Sequence, residues 1–273
     1  ETEWKTLWRL VRDSDENEAY RLLEGTCDLP EPVRVKAKSG HWMRIHEVLR
    51  EGAIVTADDD PQATLDEEWH EQDLELLVRL GLGDKPHPGG GSQSEGWFDD
   101  YRRDALSEWR QAVRALGGGN PQEHLVQFEE QVDFGPLAPL MYLSDEARVR
   151  FTRHVLPFVQ ELTGKWNLGH TQPKWPKTTF ESPTLWMIKQ AGRLETSLGI
   201  RSPKDCVGTD VGQLADAFPV ADIGNEQVAL LGLPNDPGEF GEQIWTEAIS
   251  RADQVSDELI GALYGLAASH GQE

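Results

Sequence analysis

Cysteine is scarce in this sequence. Two cysteines occur among 273 residues, Cys27 and Cys206, and no Cys-x-x-Cys pair is present. This count excludes a disulfide scaffold and a zinc site built from four thiolates. Because cysteine is among the most frequently buried residue types, we expect Cys206 to lie in the core.

Long apolar runs are also missing. No stretch approaches the roughly 18 residues that a membrane-spanning helix needs, and no secretory leader is recognisable. We therefore expect a cytoplasmic protein that does not contact membranes. The chain begins at Glu1 rather than at a methionine, which is the expectation for a segment of a longer protein.

Basic residues are few for the size of the chain. The 26 Lys and Arg residues stand against 48 Asp and Glu, and the formal net charge is −22. A negative field of this size repels phosphate backbones, so we expect no direct binding of nucleic acid. Ten Trp and eight Phe, however, are typical of a folded core. The expected partners are other proteins or other domains of the same polypeptide, and the oligomeric state stays open.

Catalytic motifs are absent as well. The segment Gly89-Gly90-Gly91-Ser92 is glycine-rich, but no Gly-Lys-Ser/Thr follows it, as a phosphate-binding loop requires. No Gly-x-Ser-x-Gly turn of the serine hydrolases occurs either. We expect a linker at residues 89–92, and neither a catalytic residue nor a cofactor in this chain.

One cluster has the residue types of a divalent-metal site. Glu67, His70 and Asp73 follow one another at intervals of three residues in a predicted helix, so they share a face and could touch one ion. The cluster lacks a second histidine, and the closed sites that zinc prefers use four ligands. A solvated acidic face is the simpler interpretation, and we predict no metal ion.

Hydrophobic spacing predicts helices and short hairpins. Residues 3–24 have helical periodicity, whereas residues 33–37 alternate apolar and basic side chains before a Ser39-Gly40 turn, as a hairpin strand does. Further helices are predicted at 67–80, 97–116, 145–163, 183–191 and 239–268. The fold class is therefore α+β, helix-dominated, with small antiparallel β-hairpin units.

Two of these units resemble each other. In the first, Ile54-Val55 is followed about 25 residues later by Leu80-Gly81-Leu82, and in the second Cys206-Val207 is followed by Leu231-Gly232-Leu233. We predict two copies of one strand–loop–helix unit. Three segments follow: 1–88 with an N-terminal helix and the first unit, 89–163 with helices after the linker, and 164–273 with the second unit and a C-terminal helix.

Residues 164–181 form a long connection without periodicity, and such loops are often functional. Exposed tryptophan beside cations is the composition of a protein–protein contact, although the same tryptophans could instead fix the loop to the core. We predict a partner-binding surface made of Lys165, Trp166, Lys174, Trp175 and Lys177.

Several phrases of the sequence resemble a known family. GHWMRIHEVL, HEQDLELLVRLGLGDKP, FGPLAPLMYLSDEARVRFTRHVL and SPTLWMIKQAGRLETSLG are similar to the middle region of large actinobacterial sacsin-like proteins, over residues 33–270. These proteins carry a heat-shock-type (GHKL) ATP-binding domain near their N-terminus. Its pattern, an Asn-bearing helix followed by Asp-x-Gly-x-Gly, does not occur here. The resemblance therefore implies a non-catalytic module that couples an ATP-binding domain to partners, and no functional residue is carried over.

Two other function classes remain open. A stand-alone enzyme of hydrolase type would need an apolar pocket that holds a carboxylate of raised pKa. An acidic inhibitor that mimics nucleic acid would present its carboxylates in rows, whereas here Arg and Lys are scattered among them. The interaction or scaffold module of a sacsin-like ATPase is the leading hypothesis.

Overall fold

The computed structural model describes most of the chain. The described residues are 2–26, 29, 31–89, 95–117, 123, 126–128, 134–171, 174–208, 217–255 and 257–269. Cys27 and most of the predicted glycine-rich linker, residues 90–92, lie outside these ranges.

Helices dominate the described part of the chain. They are α1 Thr2–Asp13, α2 Glu16–Glu24, α3 Leu74–Arg79, α4 Phe98–Ala115, α5 Asp145–Phe158, α6 Pro183–Ala191, α7 Asn225–Leu231, α8 Glu242–Val255 and α9 Asp257–Ser269. The strands are β1 Val35–Lys36, β2 Trp42–Met43, β3 His87–Pro88, β4 Val126–Phe128, β5 Phe134–Gly135, β6 Lys165–His170, β7 Thr178–Glu181, β8 Leu194–Thr196 and β9 Gly199–Arg201. The strands form small antiparallel sheets, so the predicted α+β class is confirmed.

Two serines cap helices that begin where the sequence predicted them, at residues 145 and 183. Ser144 Oγ accepts the Ala147 N–H at 3.3 Å, and Ser182 Oγ accepts the Leu185 N–H at 3.2 Å. Pro183 then occupies the first turn of α6, where its missing N–H would have had no intrahelical partner.

The three-stranded sheet has the order β4–β6–β7. Trp166 of β6 lies opposite Phe180 of β7, and Leu168 of β6 lies opposite Phe128 of β4. The prediction of a connection without regular structure at residues 164–181 is therefore wrong. The two alternating apolar residues of β6, Trp166 and Leu168, form too short a pattern to predict a strand. One of its partner strands, β4, is also distant in sequence.

The two predicted units share one order of elements. Each has a hairpin, a 3₁₀ turn, a parallel bridge and a short helix, in a first unit at residues 35–83 and a second unit at residues 194–234. The hairpins are β1–β2 and β8–β9, the 3₁₀ turns are Ile45–Glu47 and Pro203–Asp205, and the bridges are Leu49 to Thr64 and Val207 to Val220.

Six backbone hydrogen bonds of 2.8 to 3.1 Å repeat between the units. Donor and acceptor residues in the first unit are Lys38–Thr64, Leu49–Ala63, Arg50–Gly83, Leu65–Leu49, Asp66–Lys36 and Leu82–Leu77, and in the second Ser197–Val220, Val207–Pro219, Gly208–Pro234, Ala221–Val207, Asp222–Glu195 and Leu233–Val228. Since an unpaired buried backbone group is costly, this shared pattern holds two different sequences in one conformation.

The units also end in the same way. Gly81 and Gly232 adopt the left-handed region, with φ of 98° and 68°, and each following leucine returns its N–H to the helix. The predicted Leu-Gly-Leu correspondence is confirmed. The predicted match of Ile54-Val55 with Cys206-Val207 is wrong, because Val48-Leu49 occupies that place.

Extra residues in the first unit explain the misplaced match. Residues 67–73 form successive turns directly before α3, and the corresponding stretch of the second unit is shorter. The predicted helix at 67–80 is correspondingly reduced to Leu74–Arg79. Because of these extra residues, counting back about 25 residues from Leu80-Gly81-Leu82 reaches Ile54-Val55, whereas the counterpart of Cys206-Val207 is Val48-Leu49.

Helix α5 lies between the two units and is bonded to both. On the first unit, the Asp60 carboxylate accepts the N–H of Ser144, which caps α5, at 2.6 Å. Arg150 Nε donates to the Ile54 carbonyl at 2.9 Å. The long loop of the first unit is thereby fixed to the beginning and middle of α5.

On the other side of α5, charged groups join the second unit. Arg153 Nη2 donates to Glu195 at 3.0 Å and to Asp222 at 3.4 Å. Arg193 Nε donates to the Asp145 carboxylate at 2.9 Å, next to the helix start. One helix thus carries contacts to both units.

Hydrophobic clusters follow this arrangement. The largest draws on all three predicted segments, for example Leu49, Trp109 and Leu168. A second packs α1 and α2 against the first unit, and a third packs α8 and α9 against the second unit. Trp245 of α8 shares that third cluster with Leu263 of α9, so the chain folds back between them. The predicted single helix at 239–268 is therefore wrong.

We predict that Asp60→Ala lowers the free energy of unfolding by about 2–4 kcal/mol. Asp60 is only 3% exposed, and its removal leaves the Ser144 N–H and the nearby Arg150 guanidinium without their carboxylate. Asp58→Ala removes the same charge from an exposed position of the same loop and should change stability by less than about 0.5 kcal/mol. Urea unfolding followed by tryptophan fluorescence measures both, and equal losses would contradict this role of Asp60.

Candidate interaction surface

The five predicted contact residues divide into three places. Trp166 is 1% exposed and lies in the largest cluster, with its ring 5.8 Å from Phe128 and 6.5 Å from Tyr101. Alternation along β6 turns Trp166 and Leu168 inward and leaves Lys165 outward. The prediction that Trp166 lies at an exposed surface is therefore wrong.

Lys165 is separated from the other lysines. It pairs with Glu181 at one end of the β6–β7 hairpin, whereas Lys177 lies beside Gly169 at the other end. Four residues of strand separate these positions, a distance of about 13 Å. Near Lys165, Lys189 donates to Glu181 at 2.7 Å, so this end of the hairpin carries charges of both signs.

Lys174, Trp175 and Lys177 remain together, and we call them the Trp175 turn. Trp175 is half-buried, and the Lys174 ammonium lies 5.1 Å from the centroid of its ring, within range of a cation–π interaction. Lys174 and Lys177 are both exposed. The turn thus carries a half-buried aromatic ring, a cation over that ring and a second exposed lysine two residues further along the chain.

The Trp175 turn is held against α4 by rings and one hydrogen bond. Trp175 contacts the His170 ring edge-on at 6.2 Å, and His170 stacks on Trp109 at 5.7 Å with an interplanar angle of 8°. Trp109 Nε1 donates to the Pro176 carbonyl at 3.0 Å, next to Trp175. Because Trp109 is fully buried, the turn rests on a fixed support.

The residues considered for a metal ion have other partners. His70 is fully buried; its Nε2 accepts the Lys36 N–H at 2.9 Å, and its Nδ1 lies 3.2 Å from Asp73. Since Nε2 accepts, Nδ1 carries the proton that is donated to Asp73. Arg12 donates to both oxygens of Asp73, at 2.7 and 2.9 Å, so both carboxylate oxygens are engaged.

Glu67 faces away from that group and forms a two-point ion pair with Arg50, at 2.8 and 3.2 Å. No group of three or more His, Cys, Asp or Glu side chains among the described residues has the arrangement of a metal site.

Cys206 has the core position that was predicted. It is fully buried, and its Sγ donates to the Ser202 carbonyl at 3.2 Å. Burial, with a smaller contribution from Asp205, raises the pKa of the thiol to about 12. The thiolate, which is the nucleophilic form, is therefore negligible near neutral pH.

A cleft of about 440 Å³ was not indicated by the sequence. Helix α2, the 3₁₀ turn at 45–47 and the Leu80-Gly81-Leu82 end of the first unit form its walls, and Tyr20 and His46 line it. His87, Gly89 and Pro136 complete the lining, so segments that are distant in sequence meet here and no motif joins them. An exposed tyrosine with glutamates one helical turn to either side was the available signal.

Comparisons with known proteins identify no relative: no family model, no curated protein and no solved structure matches the chain. Among the described helices, none combines the length and apolar character that crossing a bilayer demands. By its fold and surface, the chain is an acidic α+β protein with two repeated units and an aromatic–lysine turn.

We predict that acid weakens the fold through His70. Burial lowers the pKa of His70 despite the opposing hydrogen bond that its Nδ1–H donates to Asp73, so the folded protein keeps this imidazole neutral where the unfolded chain binds a proton. The free energy of unfolding therefore falls as the pH decreases below about 6.5. His70→Gln, whose amide oxygen can still accept the Lys36 N–H, should lose less stability between about pH 7.5 and about pH 5.5 than the wild type.

The matched control is His41→Gln, because His41 is exposed in the β1–β2 turn. It should keep the pH dependence of the wild type. Urea unfolding at the two pH values measures all three proteins, and an unchanged slope in His70→Gln would contradict the prediction.

Proposed function

We propose that this chain is a non-catalytic interaction or scaffold module whose contact surface is the Trp175 turn. The observation that carries the proposal is the half-buried Trp175 ring with the Lys174 ammonium 5.1 Å from its centroid. Aromatic side chains near the centre of a contact contribute most of the binding energy in many interfaces. A half-buried ring on a fixed support loses little conformational entropy when a partner covers it.

Charge favours an acidic segment as the partner at this turn. The net charge of −22 repels anions at long range, but salt screens exposed charges beyond about 8 Å at physiological ionic strength. Lys174 and Lys177 are both exposed in the turn. An acidic segment that reaches the turn therefore meets two positive charges at short range.

The state of the reactive side chains supports a non-catalytic role. Cys206 keeps its proton at neutral pH, and both nitrogens of His70 take part in hydrogen bonds of the fold. Asp73 is bound by Arg12 and Glu67 by Arg50. His70, Asp73 and Glu67 thus stabilise the first unit, and Cys206 is a core residue of the second unit, so their contacts in the fold account for all four side chains.

For the parent protein we propose a sacsin-like ATPase in which this module couples an ATP-binding domain to protein partners. The support is the resemblance of residues 33–270 to the middle region of such proteins. The native reading frame on both sides of Glu1 and Glu273 tests it. A GHKL ATP-binding motif upstream is the expected result, and a start codon directly before Glu1 would remove the proposal.

The contact surface is tested by charge reversal. The double variant Lys174→Glu, Lys177→Glu reverses both positive charges of the turn. In capture from source-cell extract, quantified by mass spectrometry, it should retain at least about ten-fold less of a specific partner than the wild type. A ten-fold difference corresponds to about 1.4 kcal/mol of binding free energy. Lys85→Glu, an exposed lysine between the first unit and β3, is the control and should retain the partner. Circular dichroism checks that the variants fold. The same proteins retained by all three forms would contradict a contact at this turn.

A further inference from the structure

The cleft beside the first unit has a polar wall and an apolar wall. Helix α2 presents Glu16, Tyr20 and Glu24, which recur at every fourth residue and therefore lie along one face. The opposite wall includes Ile45 and Leu82, which are 6% and 3% exposed. A volume of about 440 Å³ falls within the range of small-molecule and side-chain sites.

Tyr20 is exposed to 45% and lies between the two glutamates. Burial of its hydroxyl, and then the nearby Glu24 carboxylate, raise the pKa of Tyr20, so the ring carries no charge at neutral pH. An aromatic face attracts cations, and carboxylates on both sides add to that attraction. The polar wall is therefore suited to a positive group.

His46 provides a further polar group. Its Nδ1 is buried and has no hydrogen-bond partner among the described residues. Burial, and then the nearby Arg44, lower the pKa of His46 to about 4, so the imidazole is neutral near pH 7 and does not repel a cation. His46 lines the cleft, and a neutral imidazole carries one N–H and one lone pair for hydrogen bonding.

Arg79 is the one Lys or Arg among the described residues that line the cleft. Its guanidinium lies 3.9 Å from Glu16 and 4.0 Å from Glu75, so its charge is already near two carboxylates. Formal charges at the lining residues Glu16, Glu24 and Arg79 sum to −1, and the chain as a whole carries −22. The field at the cleft therefore favours a cation.

We propose that this cleft binds a guanidinium or ammonium group on an aliphatic stem, the side chain of an arginine or lysine in a partner peptide. The charged end would lie over Tyr20 between Glu16 and Glu24, with N–H groups near His46. The stem would contact Ile45 and Leu82. This site is distinct from the Trp175 turn, which takes the opposite charge.

The probe is N-acetyl-argininamide, with N-acetyl-citrullinamide as an uncharged control of nearly the same shape. Titration of methyl-labelled protein by NMR should shift the Ile45 methyl resonances, with saturation at millimolar or lower concentration. The citrulline compound should bind at least about ten-fold more weakly, because it lacks the charge that the carboxylates and the ring attract. Equal binding of the two compounds, or shifts confined to residues outside the cleft, would overturn the proposal.

Variants separate the cleft from general surface charge. Glu24→Gln and Tyr20→Ala should each weaken binding of the arginine compound about three- to ten-fold, because each removes one part of the cation site. Glu18→Gln removes the same charge from an exposed position of α2 outside the cleft and should leave binding unchanged. An equal loss in Glu18→Gln would show attraction by net charge alone and would overturn the proposal. Melting temperatures confirm that the variants fold.

Discussion

The rest of the structure depends on how α5 is held between the two repeated units. Both sides of this helix carry charged or hydrogen-bonding side chains that reach backbone or carboxylate groups of a unit. Such contacts are directional, so they fix distance and orientation in a way that apolar packing alone does not. The largest hydrophobic cluster forms around this frame and includes residues of both units.

Much of the local structure could be predicted because its causes are local. Ser144 and Ser182 cap helices through bonds within three residues, and Gly81 and Gly232 end helices through their own backbone conformation. The strand β6 was missed because its two inward residues carry too little periodicity, and the pairing with β4, some forty residues earlier, leaves no local signal. The turn-rich stretch 67–73 has helical spacing, but tertiary bonds from His70 to Lys36 and from Asp73 to Arg12 override it.

The surface was harder to predict than the fold for a related reason. Trp166 and Trp175 are both tryptophans flanked by lysines, so the composition does not separate them. The alternation of β6 directs Trp166 into the core, whereas Trp175 lies in the turn beyond β6 and is half-buried. The cleft joins α2, the 3₁₀ turn and the end of α3, which lie about thirty residues apart from one to the next. Sites assembled across such distances leave no motif, because each contributing residue is ordinary in its own segment.

The two units have the same backbone hydrogen bonds but unequal electrostatics. In the first unit, Lys36 lies on the strand facing Asp66, and the two form an ion pair of 3.0 Å within the unit. The equivalent positions of the second unit are Glu195 and Asp222, two carboxylates whose shared cation, Arg153, belongs to α5. At this pair of positions the first unit supplies its own counter-charge, whereas the second unit takes its counter-charge from α5. The repeated backbone has therefore not made the units interchangeable, because the second unit carries unbalanced charge at these positions until α5 is packed beside it.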